Sequence, residues 1–263
     1  MSALLPPALI PPYEPARLEA LRPYQVLSTL EQDVFDEFVA VVAKLFQVPI
    51  ALVSLVREAD VVFVGNAGLP GVAVVAREES LCSFAILQDE LTVFEDLEHA
   101  PCVLVDPQAA EKLHLRFYAG QSLHTPIGQA IGALCIVDRH ARALTAAEGQ
   151  LLQDLALLAE DLLKLQALKA ADSSLEPSLC ARLERPVSQA LARIDALSEP
   201  PPAHQPTDPA RAQQAFDGRL AEARALVKVM HQELKNSLET LAAVRRPARP
   251  RDSRPAGGGA VAG

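Results

Sequence analysis

The sequence predicts an α+β domain followed by an all-α helical segment, and three observations carry that prediction. Short β-rich runs bounded by Gly, Pro, Asn and Asp fill the stretch from Ile50 to Val137. Patterns with three- and four-residue apolar steps, the period of a helix, flank that stretch on both sides. Beyond Ala170 the chain turns to Ala, Arg, Glu and Leu and carries no strand signal.

A first helix is expected from Glu14 to about Tyr24, cut by Pro23. Thr29 followed by Gln32 fits a capping box for a second, whose buried face is Phe35, Phe38, Val42 and Leu45 and which Pro49 ends. Ile50 to Val56 and Val61 to Val64 read as a hairpin, with Gly65-Asn66 and Gly68 marking turns. A Val-rich loop follows, then a short helix from Ser80 to Leu87 and a brief strand from Leu91 to Phe94. Leu97 to Leu113 has no clean period and reads as irregular cover over the sheet. Phe117 to Leu123 and Ala130 to Val137 are the last strands, joined through Thr125-Pro126-Ile127-Gly128.

Thr145 and Glu148 form a second capping box. Leu151, Leu155, Leu158, Leu162 and Leu165 then step as the seam of a coiled coil, one part covering the sheet and the remainder projecting toward a partner helix. A further stripe runs through Leu179, Leu183, Val187, Ala190, Ile194 and Leu197, with Pro186 placed to kink or restart it. The last stripe is Phe216, Leu220, Ala223, Val227, Met230, Leu234, Leu241 and Val244, with Ser237 at the missing step. The organisation expected is a disordered 1–14, an α+β domain over 15–165, a helical hairpin over 166–244 with a Pro-rich loop at 198–209, and a disordered basic tail over 245–263. A single helical pair has little core, so self-association into a four-helix bundle is the expected way to bury both stripes.

Composition narrows the function. Among 263 residues the net charge is −9, Trp is absent and only 3 Tyr occur, which argues against a basic or base-stacking nucleic-acid surface. The first twelve residues hold four prolines and no Lys or Arg, and no segment approaches the apolar length of a membrane span, so the expected location is cytoplasmic. The cysteines Cys82, Cys102, Cys135 and Cys180 lack metal-ligand spacing and read as buried small hydrophobes. The six His include no i,i+4 pair, and no phosphate-binding or nucleophile-elbow motif occurs, so no enzyme activity, metal or cofactor is assigned.

PIALVSLV (Pro49 to Val56), SLCSFAIL (Ser80 to Leu87), RFYAGQSL (Arg116 to Leu123) and IGALCIVDR (Ile131 to Arg139) resemble a GAF subgroup that precedes histidine kinases and cyclic-dinucleotide enzymes in bacterial sensors. The resemblance covers about 150 residues in order, the opening helices included. It implies an antiparallel sheet with helices on one side and a small-molecule pocket under loops on the other. Strand alternation puts Arg116, Tyr118 and Gly120 on one face, where a guanidinium, a phenol and a bare Gly leave room for a ligand. Arg116 either contacts that ligand or pairs with Asp96; the sequence leaves both open. The candidate ligand-binding residues are Cys82, Phe84, Asp96, Arg116, Tyr118, Gly120 and Cys135. Cys82 and Cys135 would be a redox pair only in an electropositive, partly exposed setting, for which Arg116 alone is at hand.

The chain departs from the family at Phe84, where a His is usual, and over Leu97 to Cys102, where an Asp-Pro-Arg-Phe run is usual. Signatures of cyclic-nucleotide binding, bilin attachment and methionine-sulfoxide reduction are not recognisable. Val229 to Val244 resembles the phospho-acceptor box of histidine kinases, but Gln232 rather than His231 falls at the acceptor position. The expected function is therefore a non-catalytic GAF sensory protein, a homodimer with a histidine kinase or other signalling protein as partner and an unidentified small-molecule ligand. The alternative is a kinase-associated scaffold or phosphotransfer accessory whose pocket binds nothing.

Overall fold

The computed structural model describes residues 6–29, 33–171, 177–198 and 209–244. Helix α1 spans Glu14–Leu21 and passes into a 3-10 segment, Arg22–Thr29, where Pro23 withholds a backbone donor. Helix α2 spans Asp33–Phe46. The capping side chains expected at Thr29 and Gln32 lie outside the described residues. The strands are β1 Ile50–Val56, β2 Asp60–Ala67, β3 Val74–Ala76, β4 Thr92–Phe94, β5 Phe117–His124 and β6 Ala130–Asp138. The helices after β3 are α3 Leu81–Ala85, α4 Gln108–Lys112, α5 Ala146–Ala171, α6 Pro177–Ser198 and α7 Pro209–Val244.

The sheet is antiparallel throughout, in the order β3-β2-β1-β6-β5-β4. It divides the interior into two apolar layers, because successive strand residues point to opposite faces. Ala51, Val53 and Leu55 of β1, with Phe117 and Ala119 of β5 and Leu134 and Ile136 of β6, join the helices in one core. Leu52, Tyr118, Ala133, Cys135 and Val137 join α3 and the 97–115 loops in the other.

Several expectations change. Gly65 and Asn66 lie inside β2 rather than at a turn; Gly65 is required there because a Cβ would fall 2.9 Å from the Phe35 carbonyl oxygen of α2. The Val-rich loop contains the edge strand β3, and the irregular stretch contains α4. Residues 6–14, expected to lack structure, fold onto the sheet. Leu9 is fully buried, and its carbonyl accepts from Arg77 Nη2 at 3.2 Å.

The larger change concerns the helical segment. Helix α6 lies along α2 and α7 along α5, so the four form a bundle within one chain. Val187, Leu191 and Ile194 of α6 and Leu220, Ala223, Val227, Met230, Leu234 and Leu238 of α7 are buried in the same core as the α5 seam. Each larger apolar side chain buried this way contributes about 1.5–3 kcal/mol. The seam runs through Leu238, one residue past Ser237, and α6 continues through Pro186 without restarting. Leu158 and Leu162, expected to face a partner, are fully buried inside the chain. The Leu179 and Leu183 side chains, the loop over 199–208 and the tail over 245–263 lie outside the described residues.

Polar side-chain contacts cross between the helices of the bundle. Lys44 Nζ meets Asp195 Oδ1 at 2.6 Å, Arg224 Nε meets Asp154 Oδ2 at 2.5 Å, and His231 Nδ1 meets Asp161 Oδ2 at 2.8 Å. The Asp161 carboxyl is raised above its ordinary value, because burial outweighs the nearby His231 and Lys164. His231 thus points at α5. Among the described residues, no helix is long and apolar enough to cross a membrane.

Candidate functional site

A cavity of about 650 Å³ lies on the face of the sheet opposite the bundle. Its floor comes from alternate residues of the central strands: Leu52 of β1, Phe63 of β2, Tyr118 of β5, and Cys135 and Val137 of β6. Its walls are α3 and the loop that carries Leu97, Pro101, Cys102, Val105, Leu113 and Leu115. Ser80 starts α3 by accepting from the Cys82 amide at 3.3 Å, which sets the Cys82 side chain against the floor.

Of the seven candidate residues, Cys82, Arg116, Tyr118 and Cys135 line the cavity, and Phe84, Asp96 and Gly120 do not. Phe84 packs its ring against Phe94, centroids 5.7 Å apart, and Phe94 in turn lies 6.4 Å from Tyr118. This aromatic row holds the Tyr118 ring in place. Gly120 leaves room for that ring rather than for a ligand, since a Cβ there would sit 2.3 Å from the Tyr118 Oη. Arg116 and Asp96 pair: Nε and Nη2 each donate to one carboxylate oxygen at 2.9 Å. Arg116 Nη1 also meets Glu98. Asp96 further accepts from the Glu98 amide at 3.2 Å and contacts His99 Nδ1 at 2.8 Å. The Arg116 hydrogen bonds, ahead of the others, hold the Asp96 carboxyl far below the usual range.

Asp96, Glu98 and His99 are, among the described residues, a grouping close enough to hold a metal ion. A cation there would meet the Arg116 guanidinium, which already occupies both Asp96 oxygens, so the set does not fit a metal. Carboxylates at Glu79, Glu98, Asp106 and Glu111 outnumber the cations Arg116 and Arg139 along the lining. With Arg116 spoken for, the local field disfavours a multiply charged anion.

Two sulfur atoms stand at the floor. Cys82 Sγ lies 3.8 Å from Cys135 Sγ, and the Tyr118 hydroxyl donates to Cys82 Sγ at 3.8 Å. The Cys135 thiol, then the Ser54 and Tyr118 hydroxyls, stabilise a Cys82 thiolate against burial and bring its pKa down to about 6. Cys135 moves the opposite way, since it donates the hydrogen bond to Cys82 and is itself buried. Burial also raises the Tyr118 phenol. Sequence reading missed Phe63, Val72 and Val75 among the lining residues, whereas the cover expected over Leu97 to Leu113 does wall the cavity. Alternation within β2, which sets Phe63 on the face opposite Val62 and Val64, was the available signal for Phe63.

The sheet of this α+β domain thus carries helices on one face and a cavity under loops on the other. The GAF domain family profile matches residues 31–163, half of the chain. The chain belongs to the GAF domain family. It is 30% identical over 195 residues to a cyclic di-GMP phosphodiesterase of Pseudomonas aeruginosa, covering 72% of this chain. The chain spans about a third of that relative's length (33%). The aligned share exceeds everything up to residue 163, so the likeness extends into the C-terminal helices. Among solved structures it resembles the GAF domain of an Acinetobacter phosphoenolpyruvate-protein phosphotransferase, with 15% identity, 60% of this chain and 98% of that one covered, and a TM-score of 0.45. It also resembles a free methionine-R-sulfoxide reductase of Neisseria meningitidis, with 17% identity, 58% and 89% covered, and a TM-score of 0.45.

Proposed function

We propose that the chain is a non-catalytic regulatory module in which a small molecule occupies the cavity and the sheet passes that occupancy to the helices. The observation that carries the reading is the two-sidedness of β5 and β6. Tyr118 faces the cavity while its neighbours Phe117 and Ala119 sit in the bundle core, and Cys135 stands between Leu134 and Ile136 in the same way. Close-packed interiors transmit small displacements. A ligand that moves Tyr118 therefore moves α5, and α5 carries α7 along its length.

The volume of about 650 Å³ suits a ligand of ordinary metabolite size, and the apolar floor with an acidic rim favours one that is uncharged or cationic. The lining also supports binding over turnover of a ligand, since Arg116, its candidate polar handle, is held by Asp96. The relative named as a cyclic di-GMP phosphodiesterase matches this chain over a third of its own length. On that basis we read the matched third as regulatory and propose a signalling enzyme as the output partner. Because both helical stripes are covered within one chain, the reading requires no second copy.

Native mass spectrometry of freshly purified protein, followed by hydrogen exchange, tests this. A retained small molecule is expected, and its removal is expected to speed exchange along α5 and α7. If no small molecule is retained, and none from a metabolite panel raises the melting temperature, the scaffold alternative replaces it.

A further inference from the structure

We propose that Cys82 and Cys135 are a peroxide-oxidisable dithiol that closes to a disulfide at the floor of the cavity. The two sulfurs are 3.8 Å apart, both line the cavity, and each belongs to a different element. Cys82 is carried by α3, a five-residue helix outside the sheet that follows a 3-10 turn at Arg77–Glu79, and Cys135 by β6, which β1 and β5 hold on both sides. A disulfide needs about 2.05 Å between sulfurs. Closing that gap asks for a shift of under 2 Å or so, and α3 is the partner able to make it.

The two thiols also differ in the way the chemistry requires. Hydrogen donors gather on Cys82, the Tyr118 hydroxyl among them, so Cys82 is the attacking sulfur and Cys135 the resolving one. The co-reactant is a small hydroperoxide, which the cavity admits. The Cys82 thiolate attacks one peroxide oxygen and the O–O bond breaks. The departing alkoxide takes the proton that Cys82 gave up and leaves as alcohol, or as water from hydrogen peroxide. Cys82 is then a sulfenic acid. The Cys135 thiol attacks its sulfur, the S–S bond forms, and the S–O bond breaks with loss of water. Two thiols have lost two electrons and two protons, and the peroxide has been reduced. The bond draws α3 onto β6 and narrows the cavity.

This proposal stands apart from the ligand reading, since the dithiol closes whether or not a small molecule binds. The test is hydrogen peroxide treatment of the full, folded chain, followed by peptide mapping and thiol titration. Two of the four cysteines should lose their thiols and the mass should fall by about 2 Da. The linked peptides should be those of Cys82 and Cys135. In C135S, a sulfenic acid should instead be trapped on Cys82 by a cyclic diketone; in C82S, no disulfide should form. The idea is overturned if the folded wild-type chain keeps both thiols or links other cysteines. It fails equally if the same pair forms as fast in denaturant, which would make the bond a property of the loose chain.

Discussion

At Gly132 of β6 a Cβ would stand 1.8 Å from the Ser54 carbonyl oxygen of β1, a backbone atom that cannot yield without parting the two central strands. Gly120 is tight for another reason, since its obstacle is the movable Tyr118 side chain. Gly132→Ala should therefore cost more than Gly120→Ala, about 3 kcal/mol or more against about 1–2 kcal/mol, in urea melts of the two variants. Gly120→Ala should also displace the phenol from Cys82 and slow the thiol's reaction. Glu14 poses a different residue-scale question. Burial pushes its carboxyl up, but hydrogen bonds from Arg17 at 2.7 Å and Arg77 at 2.5 Å prevail and leave it lowered. Both arginines are almost wholly buried, so Glu14→Gln leaves two guanidinium groups short of a counter-charge. The expected loss is about 3–5 kcal/mol near neutral pH. A depressed carboxylate contributes stability above its unfolded pKa, near 4.5, and loses it as pH falls through the folded value. The wild-type and Glu14→Gln melting curves should accordingly converge in acid.

Elements are joined by polar clamps that sequence spacing does not reveal. His124, at the end of β5, sits between Glu160 of α5 and Asp89 of the segment before β4. Its amide donates to Glu160 Oε1 at 2.7 Å. The Glu160 hydrogen bond, the largest influence, raises the imidazole above its ordinary 6.5 despite burial. A raised histidine contributes stability in full below its unfolded value and loses it as pH rises through the folded one. The melting-temperature difference between wild type and His124→Gln should be widest near pH 5.5, or about a unit below 6.5, and should shrink on the alkaline side. An unchanged difference across that window would mean that the clamp works without its charge. The start of α5, by contrast, was legible in the sequence. Thr145 Oγ1 accepts from the Glu148 amide at 3.2 Å, and the Thr145 amide donates in turn to Glu148 Oε2 at 2.8 Å.

For the whole molecule, the bundle formed by α2, α5, α6 and α7 decides how the chain behaves in solution. The sequence predicts that one part of the α5 seam covers the sheet and the remainder projects toward a partner helix; the first part does pack on β5 and β6, and α7 of the same chain covers the helix. A charge at Leu158, as in Leu158→Asp, should then destabilise the monomer itself and lower the melting temperature, because it buries an unpaired carboxylate. A chain ended after Ala171 loses α6 and α7 and bares the seam. It should self-associate in light scattering, whereas the full chain should show less association at equal concentration. A truncated chain that stays as soluble and as monomeric as the full one would show that the seam needs no cover.

What the sequence determined by itself is local. Strand alternation in IALVSLV, the capping box at Thr145 and the order of the matching segments were enough for the α+β class, most elements and the family. They were enough because propensity, capping and period act over a few residues. The residues that line the cavity were only half visible. Tyr118 and Cys135 follow from strand parity, while Phe84, Asp96 and Gly120 turned out to support Tyr118 and Arg116 rather than face the cavity. Tertiary structure alone decided the remainder. The Cys82–Cys135 contact spans 53 residues, the Arg77–Glu14 pair 63, and Arg224 reaches back 70 to Asp154. An apolar stripe states that a helix face must be covered, but its sequence does not name the cover. Here the domain's own α2 and α5 lie closest, and they supply it.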